Sequence, residues 1–395
     1  MIKYESQIKS KLDEIAKILI GDIDPGGIGL LDGRAGIILF LFSYSRYTEN
    51  EIYEERAIEL LHECMDMIDK HDEVSLHYSQ GIPGLAWTLD YLAKNEFIEI
   101  MDTFHPFDKI ICDSMQMNFE TKNWDALHGG IGTCNYLFSR LENEYVKESI
   151  LKAIKVLESI CIEDGTTAKW ESYNQPGNDF SYNFGLAHGI PSIISFLVKC
   201  IENNLDKVVC LRLLQKSVHY ITTNTVEGKE NVFPTMIFKD GTVQGFSRLA
   251  WCYGDPGVVV ALIQANKVLK SLDEIIKLTL EKICQRKTIE KTNIVDSCIC
   301  HGTVGIMHII HYISLLEYGQ YLDSQTLDYW IECSLEMAKF DDGAAGYKTF
   351  IKNDVGGNPN FEISHGLLEG ISGNGMCLLT LLDGKTRWNE CVFIS

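Results

Sequence analysis

Two cysteines and a histidine carry the sharpest chemical signal in the chain. Cys252 stands in FSRLAWCYGDPG, and Cys300 with His301 in DSCICHGTVG. Zinc favours thiolate and imidazole, and three protein ligands with an open fourth place mark a catalytic rather than a structural ion. Cys252, Cys300 and His301 supply such a set. Two buried free cysteines beside a structural histidine would look the same in sequence, and both readings stand at this level. The CxC pair formed by Cys298 and Cys300 lacks the doubled CxxC of a structural zinc knuckle.

Four more residues belong to the same chemistry. His188 precedes a glycine in AHGIPS and has a proton-transfer range suited to acid–base work. Asp125, in WDALHGG, is either a partner for such a histidine or a turn carboxylate. Arg248, four residues before Cys252, could hold an anion or an enolate, or pair with an acidic outer residue. Tyr253 could donate a proton or pack with its hydroxyl satisfied. His128 and His365 are further histidines beside glycine motifs, the second reading as loop structure.

These residues share a place in a repeat. A polar or titratable residue, then Gly-x-x-Gly, then an apolar run occurs seven times, with first glycines at Gly33, Gly81, Gly129, Gly189, Gly254, Gly302 and Gly370. A recurring spacing of this size signals a repeat architecture. Amphipathic segments near 5–20, 50–69, 107–118, 145–161, 205–224, 272–286 and 324–340 precede the copies. The expected architecture is all-α: an α/α toroid of seven inner helices, each starting at its Gly-x-x-Gly, ringed by seven outer ones. An open solenoid would need caps on two hydrophobic ends, and no capping repeat is evident. The residues just before each first glycine, Asp32, Gln80, His128, His188, Tyr253, His301 and Glu369, would then face one mouth. Cys252 and Cys300 fall one position earlier in neighbouring repeats. Cys298 does not hold that position and ranks below Cys300. The fourth copy departs, with Ser192 in place of the second glycine.

The repeat spans residues 1–395 almost evenly, which predicts a single domain, with a loop or small β-rich insertion around the polar stretch 161–182. The net charge of −20 argues against nucleic acid and anionic membrane as main partners. The charged, amphipathic N-terminal stretch is no signal peptide, and no apolar run is long enough to span a bilayer. The reading is a cytoplasmic protein whose thirteen cysteines are mostly reduced core residues.

With these blocks in view, the chain resembles the lanthionine synthetase C-like family, the LanC-type cyclases of lantibiotic biosynthesis. The resemblance covers essentially the whole chain. It rests on the sevenfold repeat, Arg248 to Gly254, Cys300 to Gly302, Ala187 to Gly189, and Asp125 to Gly129. It implies an α/α toroid carrying zinc, held by Cys252, Cys300 and His301. It implies His188 and Asp125 as acid–base residues, with Arg248 and Tyr253 lining the site. The implied reaction adds a precursor-peptide cysteine to dehydroalanine or dehydrobutyrine, giving lanthionine or methyllanthionine thioethers. The implied partners are a dehydrated lanthipeptide precursor, a dehydratase and an ABC exporter, which would place the protein peripherally at the membrane through a complex. Inner-helix N-termini at the mouth would add a favourable dipole for an anionic intermediate. The same ligands would serve a non-catalytic zinc and thiol binding protein of the glutathione-linked kind. A toroidal glycoside hydrolase would need paired carboxylates, and Asp32, Asp125 and Glu369 form no evident pair.

Overall fold

The computed structural model describes residues 3–70, 74–99, 107–172, 181–353 and 357–395. Two kinds of helix alternate along them. One kind buries a single stripe: α1 (Glu5–Leu19), α3 (Glu51–Asp69), α5 (Asp108–Glu120), α7 (Glu144–Ser159), α9 (Lys207–Thr223), α11 (Asp273–Gln285) and α14 (Thr326–Glu336). In α3 the buried residues are Tyr53, Ala57, Leu60 and Cys64, the spacing of one helical face. The other kind is buried almost all round: α2 (Arg34–Thr48), α4 (Ile82–Lys94), α6 (Gly130–Leu137), α8 (Ile190–Glu202), α10 (Asp255–Leu269), α13 (Thr303–Ser314) and α15 (Ile371–Asp383). Every residue of α10 from Asp255 to Asn266 is buried. These are the outer and inner sets expected from sequence, and a one-turn helix α12 (Ile289–Thr292) is additional.

Three small antiparallel sheets accompany the helices. Strands β1 (Ile162–Glu163) and β2 (Ala168–Lys169) pair within the polar stretch. Strand β3 (Ser181–Asn183) pairs with β4 (Met236–Phe238), which pairs with β5 (Val243–Gln244). A hairpin of β6 (Thr349–Asn353) and β7 (Pro359–Glu362) lies late in the chain. Residues 173–180 of the stretch singled out in sequence lie outside the described residues.

Contacts group the chain into two compact units. One comprises Met1–Met101, Ile294–Ile313 and Ser324–Trp388; the other comprises Asp102–Asn293, Ser314–Asp323 and Asn389–Ser395. The first therefore joins the first two repeats to the last and to most of α13, and the second holds the middle three together with α11, the outer helix of the sixth.

Within each unit, neighbouring repeats are stitched at the entry to their inner helices. In the first unit the Cys300 N–H donates to the Leu368 carbonyl, Leu368 N–H to Leu31, and Leu31 N–H to Ser79. In the second, Ala126 N–H donates to Ala187, and Ala187 N–H to Cys252. Within each unit a repeat donates to the next one, and in the first unit the last repeat donates to the first.

The second glycine of the motif makes this approach possible. A Cβ on Gly36 would lie 2.7 Å from Leu367 Cβ, on Gly84 2.8 Å from Leu30 Cβ, and on Gly257 2.9 Å from Leu186 Cβ. On Gly373 it would lie 1.7 Å from the Leu367 carbonyl oxygen and 2.9 Å from Ile299 Cδ1. Leu30, Leu186, Ile299 and Leu367 each stand three residues before their own first glycine. At that register the third repeat has Ala126, a single methyl, and the fourth repeat has room for Ser192. Its hydroxyl donates to the Gly189 carbonyl at 2.8 Å.

Two outcomes are expected in chemical denaturation. Gly373→Ala should lose about 1–3 kcal/mol through overpacking against backbone. Ala126→Leu should lose a similar amount, about 1–3 kcal/mol, and Ser192→Gly in the same chain should restore part of it, because the two residues share one space. Additive losses would break that pairing.

Candidate active site

The repeats deliver polar residues through loops that fold back over the inner helix starts. Gly129 precedes α6 in extended backbone, and a glycine likewise caps α2, α4, α8, α10 and α15, none with a side-chain cap. Loop carbonyls take over the exposed amides. Gly130, Ile131 and Gly132 N–H donate to Asn123, Trp124 and Asp125; Thr303, Val304 and Gly305 N–H donate to Asp296, Ser297 and Cys298. These amides are spent within the chain. At these two entries the helix ends offer a substrate their dipole but not these amides.

In the second unit an open cleft of about 490 Å³ is lined by Thr121, Lys122, Asp125, His128, His188 and Tyr253, among others. Asp125 organises it. Its Oδ1 accepts the backbone N–H of Leu127 at 2.7 Å and of His128 at 2.8 Å. Its Oδ2 lies 2.5 Å from His188 Nδ1. The His188 ring lies near the His128 ring, centroids 6.3 Å apart, and near the Tyr253 ring at 5.7 Å. Asn183 Nδ2 donates to the Tyr253 hydroxyl at 3.5 Å. With Nδ1 on the carboxylate, Nε2 is the other ring nitrogen able to carry or release a proton.

The electrostatics of the pair follow from this geometry. Burial alone would lower the His188 pKa, but the bond to Asp125 and its charge outweigh burial and carry it above 6.5. Burial opposes Asp125 ionisation, yet His188 and the His128 N–H leave its pKa below 3.8. Asp125 is therefore a partner of His188 and not half of a carboxylate pair. Arg248, half-buried, has no hydrogen-bond or ion-pair partner among the described residues. Cys252 is 4 % exposed, and its carbonyl accepts the Ala187 N–H.

In the first unit Cys300 and His301 lead into α13. Ligand atoms of Asp296, Cys298 and His301 lie within 4.8 Å of one another. The His301 backbone N–H approaches Cys298 Sγ at 3.4 Å, and His301 Nε2 lies 3.0 Å from Asp296 Oδ2. His365 Nδ1 faces the Asp24 carbonyl at 3.3 Å, a contact between loops. Asp296 and Asn183 were not read from sequence, since a loop carboxylate or amide carries no local pattern.

The comparisons agree with this picture. The family model described as lanthionine synthetase C-like protein matches residues 24–393. The chain belongs to that family. The nisin biosynthesis protein NisC of Lactococcus lactis subsp. lactis is 23% identical over 421 residues, covering 98% of this chain and 94% of that protein. A solved structure of nisin cyclase superposes with a TM-score of 0.74 at 19% identity, covering 100% of this chain and 98% of that one. That likeness shows the fold, an α/α toroid of seven inner and seven outer helices. No helix among the described residues is long and apolar enough to cross a membrane.

Titration of His188 followed by NMR should show a midpoint above 6.5. Asp125→Asn removes the two causes that outweigh burial and leaves only the Cys252 charge against it, so the midpoint should fall. A raised histidine pKa contributes stability that is fully present below about 6.5 and is lost as pH rises through the folded value; a depressed carboxylate contributes above about 3.9. The stability deficit of Asp125→Asn should therefore be greatest between those two values.

Proposed function

We propose that this protein is a zinc-dependent lanthionine synthetase acting on a dehydrated precursor peptide. The donor set is Cys252, Cys300 and His301, which share one register of the repeat, and the observation that carries the reading is the Asp125–His188 pair beside Tyr253, with Oδ2 2.5 Å from Nδ1. Two sulfurs and an imidazole nitrogen suit zinc, with bonds of about 2.3 and 2.0 Å and a fourth place left for substrate. The chemistry a bound zinc supplies is deprotonation of the substrate thiol, so that its sulfur reacts as a thiolate.

The chain's own residues account for the remaining steps. The peptide sulfur forms a bond to the β-carbon of dehydroalanine or dehydrobutyrine. The alkene electron pair moves to the α-carbon and its carbonyl, giving an enolate. Arg248, whose guanidinium has no partner among the described residues, and the Tyr253 hydroxyl supply the positive and donor groups that an enolate needs. His188 Nε2 then gives its proton to the α-carbon, and the thioether ring is closed. Asp125 holds the ring through Nδ1 and favours its protonated form, which suits a proton donor near neutral pH.

The reading makes the dehydrated peptide the substrate and requires a dehydratase to supply it. A complex with that dehydratase and an ABC exporter, in the cytoplasm beside the membrane, is part of the same proposal. So is a single domain for residues 1–395, which is supported by each unit being assembled from three separate stretches.

Metal analysis of the purified protein should give about one zinc per chain, lost in Cys252→Ala and Cys300→Ala and kept in Cys298→Ala. Loss in Cys298→Ala alone would move the ligand by two residues. His188→Asn should keep zinc and slow ring closure about 10²–10⁴-fold, measured by mass spectrometry of a dehydrated peptide after thiol alkylation. Ring formation at the normal rate would remove His188 from the mechanism.

A further inference from the structure

We infer that Asp296 is a positioning residue that fixes the His301 ring and raises its basicity for metal binding while tying the β6–β7 hairpin to the same point. This rests on the zinc assignment above. Asp296 is 1% exposed. Its Oδ2 meets two groups at once, His301 Nε2 at 3.0 Å and the Phe350 N–H of β6 at 2.8 Å. Its Oδ1 accepts the Cys298 N–H at 3.4 Å, and its carbonyl accepts the Thr303 N–H at the start of α13. A Cβ on Gly302 would lie 2.6 Å from Oδ1, so the motif glycine leaves the space the carboxylate crosses.

The register supports a role at the mouth. Asp296 stands six residues before its first glycine, and the residues at that place in the three preceding repeats are Asn123, Asn183 and Arg248. Asn183 holds the Tyr253 hydroxyl and Asn123 the His128 carbonyl. Asp296 is the only carboxylate in the row.

A ligating histidine commonly turns its second nitrogen to a carboxylate, which sets the ring and raises its basicity. With Nε2 against Asp296, Nδ1 is the nitrogen left for the ion. At this distance the carboxylate also acts on the ring through its charge. A different arrangement would use Asp296 itself as a ligand, with Cys298 and His301. The two arrangements differ in the number of thiolates on the metal.

Cobalt(II) substitution of the whole chain separates them. The sulfur-to-cobalt charge-transfer band counts thiolates, and competition with a chromophoric chelator gives affinity without any turnover. Asp296→Asn keeps one acceptor oxygen, for the Phe350 or the Cys298 amide, while removing the charge, and thermal unfolding of the metal-free forms checks that the fold is kept. We expect a two-thiolate band in wild type, Asp296→Asn and Cys298→Ser, a one-thiolate band in Cys300→Ala, and cobalt affinity in Asp296→Asn reduced about 10–100-fold. Wild-type affinity in Asp296→Asn overturns the inference and leaves the zinc assignment intact. A one-thiolate band in wild type that vanishes in Cys298→Ser makes Asp296 a ligand, overturning both. Absence of cobalt binding by wild type overturns the zinc assignment and, with it, this role.

Discussion

The structure depends on how closely neighbouring backbones approach at the start of each inner helix. A leucine or isoleucine of one repeat rests where the next repeat would carry a Cβ, as Leu367 does on Gly36 and Leu186 on Gly257. At that separation the loop amide of one repeat reaches the loop carbonyl of the next. A side chain at the second glycine would hold the two apart and leave both groups unmet in a buried setting, where an unpaired polar group is costly. Glycine here is a requirement of contact between repeats, which is why the fourth copy can substitute serine only beside Ala126.

That stitching also places the chemistry. Every candidate residue lies within six positions of a first glycine, so each inherits the rigidity of the helix entry. His188 and Tyr253 stand one residue before it, Cys252 two, Asp125 four and Arg248 six. The Asp125–His188 pair is then assembled from two repeats whose entry loops are joined by the Ala126 to Ala187 hydrogen bond. Its partners are 63 residues apart in sequence and 2.5 Å apart in space. Rigid backbone on both sides lets a single carboxylate set one imidazole's tautomer and charge state.

Much of this was legible in the sequence because its signals are local. An amphipathic stripe and a glycine cap are properties of a few adjacent residues, so the segment expected at 50–69 is found as a helix at Glu51–Asp69. The stretch expected to end near 340 stops at Glu336, as the chain turns toward the Ala344 to Tyr347 bridge. The β6–β7 hairpin was not read, since most of its residues are exposed and no alternation marks a buried face. The helix entries hold the other surprise. Amides that looked available to an anion are occupied by carbonyls seven residues earlier, a consequence of loop path that composition does not show. Asp296 was missed for a related reason, because its partners Phe350 and His301 come to it only through the fold.

The bond from Leu368 to Leu31 bears on the order in which the chain assembles. The first two repeats leave the ribosome early, but the amides and carbonyls at their edge find partners only when the last two have been made. The middle unit is closer to contiguous, yet the Trp251 and Gln264 side chains donate to the carbonyls of Val392 and Phe393, so it too awaits the final stretch. Closing so long a loop costs little more entropy than closing a shorter one, since the cost grows only as the logarithm of length. Its burden is kinetic: apolar helix faces wait exposed through most of synthesis, a period in which association with other chains competes with completion of the fold.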